Sequence, residues 1–242
     1  MSHEPKSVRP VAVVTGASQG LGFALAGTLA ERGWAVVIDA RRRDRLDAAA
    51  EQLSPRGTVV AVPGDVTDPS HRAELARAAG ELGAVQLLVN NASTLGLSPQ
   101  PSLSEIGPDT FLRIFEVNVV APIALVQQLD SVLAPGATVL NITSDAGVEP
   151  YEGWGGYGSS KAALEHASRV LAAERADLRV VIVDPGDMRT EMHQDAFPDE
   201  DITDREPPEA SVPGVISIVE GSQPSGTRQL ARAVPREQAV TS

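Results

Sequence analysis

The 242-residue chain contains no cysteine. Disulfides, thiolate metal sites and cysteine nucleophiles are therefore excluded. Aromatic residues are scarce, with four Phe, two Trp and two Tyr, so any aromatic beside a chemically active motif counts as a pocket candidate. The four histidines, at 3, 71, 166 and 193, lack ligand spacing, and no metal site is expected. No stretch reaches the roughly 18 consecutive apolar residues that span a bilayer. The amino terminus MSHEPKSVRP has no signal-peptide core, which predicts a cytoplasmic protein. Basic charge is also short, since the formal net charge is −12. That balance argues against nucleic acid and anionic membranes as partners and reads as solubility.

What is present is an alternation of short apolar runs and helical stretches, predicting strands at 11–15, 35–39, 58–62, 86–90, 138–142 and 179–183, with a weak seventh near 226–231. Most runs are continuously apolar, as in parallel strands buried on both faces. Helical periods fall at 20–32, 43–53, 69–82, 109–133 and 157–176. The fold class expected is α/β, a single doubly wound Rossmann-type domain over 1–242 with a mostly parallel sheet and helices on both faces. Within it, 8–192 reads as the cofactor-binding and catalytic core, and 231–242 as a solvated tail. Residues 193–213 hold seven acids and four prolines, and read as a lid or surface loop of little regular structure.

The first strand leads into TGASQGLG, with Gly16, Gly20 and Gly22 at a strand-to-helix turn. Glycine there allows a tight bend and brings backbone N–H groups against a pyrophosphate, predicting a dinucleotide site. YGSSK sets Tyr157 and Lys161 four apart, on one helix face. A neighbouring ammonium favours a phenolate, so Tyr157 is a candidate proton donor and acceptor despite an ordinary pKa of about 10. Ser144 follows the fifth strand at the sheet edge where such folds bind ligands. Alone, each has an ordinary structural reading: an amphipathic face, or a helix cap.

In order along 8–192, these motifs resemble the short-chain dehydrogenase/reductase family, whose cofactor turn is T-G-x-x-x-G-x-G. Asp65-Val66, Asn90-Asn91-Ala92-Ser93, and Pro185-Gly186 with Thr190 stand at its further landmarks. The resemblance implies hydride transfer between nicotinamide and a carbonyl or secondary alcohol, with Asn118, Ser144, Tyr157 and Lys161 as the catalytic set. It implies cofactor contacts by Gly16, Ser18, Gly20, Leu21, Gly22, Asp65, Val66, Asn91, Ala92, Pro185, Gly186 and Thr190, together with Tyr157 and Lys161. Asn118 would support a water linking the lysine to solvent.

Ser93 replaces the usual glycine, a small change from which little effect is expected. The carboxyl terminus lacks the V-D-G-G-like strand, so the family's tetramer is not carried over, whereas pairing as a homodimer through 109–133 and 157–176 is. Tyr151 and Trp154, between Ser144 and Tyr157, are substrate candidates, as are Met188 and Met192; His193 reads as an exposed loop residue. The alternatives are a non-catalytic dinucleotide-binding sensor or scaffold, and an epimerase or dehydratase, for which the chain after 192 is too short.

IDARRRDR bears on the cofactor. In members that prefer NAD an acid stands seven residues after the glycine before the second strand, and here that place is Ala40. Asp39 is one early, and alternation would aim it to the other face. Arg41 falls where NADP-preferring members bind the 2′-phosphate, with Arg42 as a second contact. Arg43 and Arg45 read as a solvated helical turn. NADP(H) is therefore the expected cofactor, with NAD(H) as the alternative.

Overall fold

A computed structural model describes residues 9–233. Among these residues seven strands form one parallel sheet: β1 (Val11–Val14), β2 (Ala35–Ala40), β3 (Val59–Pro63), β4 (Val85–Asn90), β5 (Leu133–Ile142), β6 (Arg179–Asp184) and β7 (Arg228–Leu230). Their order is β3-β2-β1-β4-β5-β6-β7. The order reverses between β1 and β4, and a crevice opens there at the carboxyl ends of the strands.

Alternation along each strand divides the core. Ala12, Val14, Val36, Ile38, Val181 and Val183 face one layer, formed by α1 (Gly20–Glu31), α2 (Arg43–Leu53) and α8 (Val212–Glu220). Val11, Val13, Val37, Val139 and Val180 face the other, where α3 (Pro69–Leu82) and α5 (Ala121–Leu129) supply Leu75, Leu125 and Leu129. Burial on both faces is why the strands are continuously apolar. Along the second face also run α4 (Pro108–Phe115) and α6 (Gly155–Glu174). No helix among the described residues is long and apolar enough to cross a membrane.

The expected helix 109–133 is divided. Residues 116–120 form a π-turn in which the Ala121 N–H bonds to the Glu116 carbonyl. Pro122 has no N–H to donate to the Asn118 carbonyl, so a regular α-helix cannot continue there. β5 then begins at Leu133, five residues before the expected start. Two helices fall outside the expected set: α7 (Glu191–Ala196) and α8. The first is capped by the Thr190 hydroxyl, which accepts the His193 N–H at 3.2 Å, so part of the acidic segment is helical. In the expected tail, Ala231 is buried beside α8, while 234–242 lie outside the described residues.

Candidate active site

A cleft of about 710 Å³ runs along the crevice, within the roughly 300–1,000 Å³ typical of small-molecule and cofactor sites. The expected cofactor and substrate residues line it, apart from Gly22. Asn118 also lies behind the wall.

At the cofactor end, the glycine turn is held from two sides. Asn91 donates from Nδ2 to the Thr15 and Gly16 carbonyls at 2.8 and 3.1 Å. Asp39 accepts the Gly16 N–H at 2.7 Å. Gly16 has φ +64°, and a Cβ there would lie 2.8 Å from the Ala92 Cα. A Cβ at Gly22 would lie 2.6 Å from Asn91 Nδ2 and 2.7 Å from the Gly16 carbonyl. Side chains are thus excluded where a ligand's phosphates must approach the backbone. Gln19, before the first turn of α1, makes no capping bond with its side chain. The first N–H groups of α1 therefore lack a side-chain acceptor and suit an anion.

Asp39 is buried, with Oδ2 3.0 Å from His71 Nε2. Both carboxylate oxygens are therefore engaged by the protein, and this acid braces the glycine turn. Burial raises its pKa, opposed by the hydrogen bonds from His71 and Gly16. Asp65 accepts from the Thr67 N–H and hydroxyl at 3.0 and 2.8 Å and from Arg113 at 2.6 Å. Although partial burial raises its pKa, these bonds outweigh it and hold the carboxyl below its ordinary value. Val66 packs on Val117, Ala121 and Ala92. Gly186 donates its N–H to Asp184 at 2.8 Å, and Ser211 donates to the Pro185 carbonyl at 2.8 Å.

Arg41 and Arg42 line the same end. Arg42 is bonded to Asp44 at 2.8 Å, a pairing absent from the expectation. Arg45 departs further. Although its side chain stays partly exposed, its guanidinium is not free in solvent but reaches Gln19 at 2.7 Å and Glu191 of α7 at 2.6 Å.

At the other end, Tyr157 and Lys161 lie one turn apart on α6, both buried. Lys161 Nζ donates to the Ile142 carbonyl at 2.9 Å and sits 5.4 Å from the centre of the Tyr157 ring. Burial lowers its pKa to about 8. The Tyr157 phenol is raised well above 10, chiefly by burial, with Asp184 and Asp145 adding to it and hydrogen bonding by Ser93 and Ser144 opposing it. The net direction is upward, so desolvation outweighs the bias towards phenolate expected from the neighbouring ammonium.

Ser144 donates to Asp145 Oδ1 at 2.9 Å, and the Tyr151 hydroxyl donates to Oδ2 at 3.0 Å. Asn118, inside the π-turn, is fully used: Oδ1 accepts from Thr94 N–H and Ser93 hydroxyl at 2.9 and 3.1 Å, and Nδ2 donates to the Thr94 carbonyl and Ser160 at 2.9 Å each. Ser93, from which little was expected, thus stands between Asn118 and the phenol. Its signal in the sequence was its departure from the family's glycine.

Trp154 packs edge-on against Tyr157, ring centres 5.7 Å apart, and Phe197 lies 5.6 Å from Trp154. Met192 and Ala196 pack on the cluster of Leu95, Ala146 and Tyr157. Met188 also borders the cleft, packed on the α1 and α8 layer. His193 is half-buried and not the exposed residue expected; its ring lies tilted against Phe197, centres 5.0 Å apart. Its Nε2 is buried and has no partner among the described residues.

Behind the serine, Arg228 of β7 donates to Glu165 at 2.9 Å and to Asp184 at 2.7 Å, and lies 3.4 Å from the Ser144 carbonyl. Thr143 donates to the same Glu165 oxygen at 2.9 Å. Both acids are buried.

The profile of the short chain dehydrogenase family matches residues 10–201. Over 186 residues the chain is 36% identical to the rhamnolipids biosynthesis 3-oxoacyl-[acyl-carrier-protein] reductase of Pseudomonas aeruginosa, covering 73% of this chain and 72% of that protein. It is 38% identical over 188 residues to the glycine betaine reductase ATRR of Emericella nidulans, covering 75% of this chain but only 15% of that longer protein. The Pseudomonas aeruginosa RhlG/NADP active-site complex superposes with a TM-score of 0.81 at 30% identity, covering 91% of this chain and 94% of the other. A profile match across most of the chain, on a seven-stranded parallel sheet with the glycine turn at its switch point, places this protein in the short-chain dehydrogenase/reductase family of NAD(P)-dependent oxidoreductases.

Proposed function

We propose that the protein transfers a hydride between NADP(H) and a carbonyl or secondary alcohol, with Tyr157 as the acid and base. The observation that carries this reading is the burial of Tyr157 beside Lys161 in the wall of the cleft whose far end is the glycine turn. The turn fits a dinucleotide, since Gly16 and Gly22 leave no room for side chains and the start of α1 offers N–H groups. When bound, the nicotinamide supplies or accepts the hydride.

This chain's residues manage the proton. A phenol held protonated by burial is a donor ready for a developing alkoxide during reduction. The Ser144 hydroxyl, which donates to Asp145, is a rotor and can turn to the same substrate oxygen. The Lys161 ammonium would hold the nicotinamide ribose and stabilise the phenolate left after transfer. Asn118 fixes the Ser93–Thr94 backbone beside the phenol. Trp154, Phe197, Met192 and Tyr151 surround the place for the substrate, which favours an apolar carbonyl compound, and 193–213 serves as its lid.

Preference for NADP(H) is supported by Arg41, which has no ion-pair partner among the described residues, and by the engagement of both Asp39 oxygens within the protein. Pairing of two copies through α4, α5 and α6 is supported by exposed Leu112 on α4, Val120 in the π-turn before α5 and Val170 on α6; light scattering would show a mass of one chain if this is wrong.

The test is a screen of aldehydes, ketones and alcohols with both cofactors, following nicotinamide absorbance, with wild type and Tyr157→Phe. Turnover with NADP(H) should vanish in the variant while dinucleotide binding persists. Undiminished turnover by Tyr157→Phe would refute the mechanism, and a wild type preferring NAD(H) would refute the cofactor assignment.

A further inference from the structure

The four arginines after β2 meet different surroundings. Arg41 lines the cleft without an ion-pair partner among the described residues. Arg42 is committed to Asp44, and Arg43 is exposed. Arg45 alone spans the mouth of the cleft. Its NH1 donates to Gln19 in the glycine turn at 2.7 Å and to Glu191 Oε2 at 2.6 Å, while NH2 approaches Glu191 Oε1 at 3.4 Å. Glu191 is the first residue of α7, whose later residues Met192, His193 and Ala196 line the substrate end. The bond from Arg45, with help from Gln19 and the charge of Arg42, holds the Glu191 carboxyl below its ordinary pKa. At neutral pH it is an anion lodged among arginines at the edge of the cofactor end.

A 2′-phosphate is drawn to the same guanidinium groups and carries more charge and more acceptor oxygens than a carboxylate. The two anions compete. The ion pair that would yield is well hydrated, with side chains 37% and 51% exposed, and such a pair is weak. We propose that Glu191 is a specificity-determining residue for the dinucleotide: it holds Arg45 as a stand-in anion, and a bound 2′-phosphate takes Arg45 from it, freeing the first turn of α7. A dinucleotide without that phosphate leaves the Arg45–Glu191 bridge in place. The same arginine thus joins cofactor choice to the helix that borders the substrate. This rests on the NADP(H) reading above, to which it adds Arg45 as a phosphate ligand and Glu191 as its competitor.

The test uses adenosine 2′,5′-bisphosphate and 5′-AMP as probes, so that no turnover is needed. Calorimetric titration of wild type, Glu191→Gln and Arg45→Met would be joined to hydrogen exchange across 191–196. Glu191→Gln should tighten the bisphosphate about two- to fivefold, the scale of one exposed charge interaction, and leave 5′-AMP unchanged. Arg45→Met should weaken the bisphosphate alone. In wild type the bisphosphate, and not 5′-AMP, should speed exchange in α7. A wild type that prefers the bisphosphate, with Glu191→Gln binding it no better and α7 exchange unaltered, would overturn the competition while leaving the NADP(H) reading intact. A wild type that does not distinguish the probes would overturn both.

Discussion

Lys161 carries a stability cost that can be measured. Its side chain is 2% exposed, it has no carboxylate partner among the described residues, and burial alone brings its pKa from 10.5 to about 8. A shift of that size corresponds to about 3 kcal/mol against the charged form at neutral pH. Lys161→Met keeps the length and apolar volume of the stem and removes the charge. It also takes the donor from the Ile142 carbonyl, which costs about 1 kcal/mol. The net expectation is a gain of about 2 kcal/mol at pH 7, or roughly 4–8 °C in melting temperature for a chain of this size, with loss of turnover. The pH dependence follows from the direction of the shift. A lysine with a depressed folded pKa contributes most above its unfolded value and loses that contribution as pH falls through the folded one. The advantage of the methionine variant should therefore be full below about pH 8 and fade as pH rises towards 10.5. Urea unfolding of both proteins across that range is the assay. A variant less stable than wild type at pH 7, or a gain that does not fade, would refute the account.

Other substitutions test the brace of the glycine turn. Asp39→Ala removes the acceptor for both the Gly16 N–H and His71 and should cost about 2–4 kcal/mol and weaken dinucleotide binding, as read by thermal unfolding and titration. Asp39→Asn keeps an acceptor for Gly16 and should retain binding; equal loss in both variants would contradict a bracing role. Gly22→Ala sets a methyl group against Asn91 and the Gly16 carbonyl, so calorimetry should find a loss of about 1–3 kcal/mol together with weakened dinucleotide binding.

The sheet was legible because its strands are buried on both faces and so stand out as apolar runs; β1, β2 and β6 fall within one residue of their expected bounds. β7 was legible only faintly, since three residues, RQL, are a strand by virtue of pairing with β6. α8 escaped notice because Pro213 and Gly214 lie in its first turn and its stability comes from burying Val215 and Ile216 against the sheet. The glycine turn and the Tyr157–Lys161 pair are local patterns that the chain states directly. The reach of Arg45 to Glu191, 146 residues away, and the bracing by Asp39 depend on tertiary placement that no local spacing encodes. Ser93 could be noticed as unusual, but its position between Asn118 and the phenol could be known only from the fold.

The arginine of the last strand has a consequence for how the protein is made. Glu165 and Asp184 are buried behind the Ser144 carbonyl, and Arg228 pairs with both. During synthesis from the amino terminus, every residue assigned to the chemistry emerges before that arginine does. Until it docks, Glu165 has only Arg169 and Asp184 has no ion-pair partner among the described residues, so burying Asp184 without that charge is strongly unfavourable. The end of the sheet that carries the serine therefore closes only after Arg228 has emerged, later than the emergence of the catalytic residues themselves.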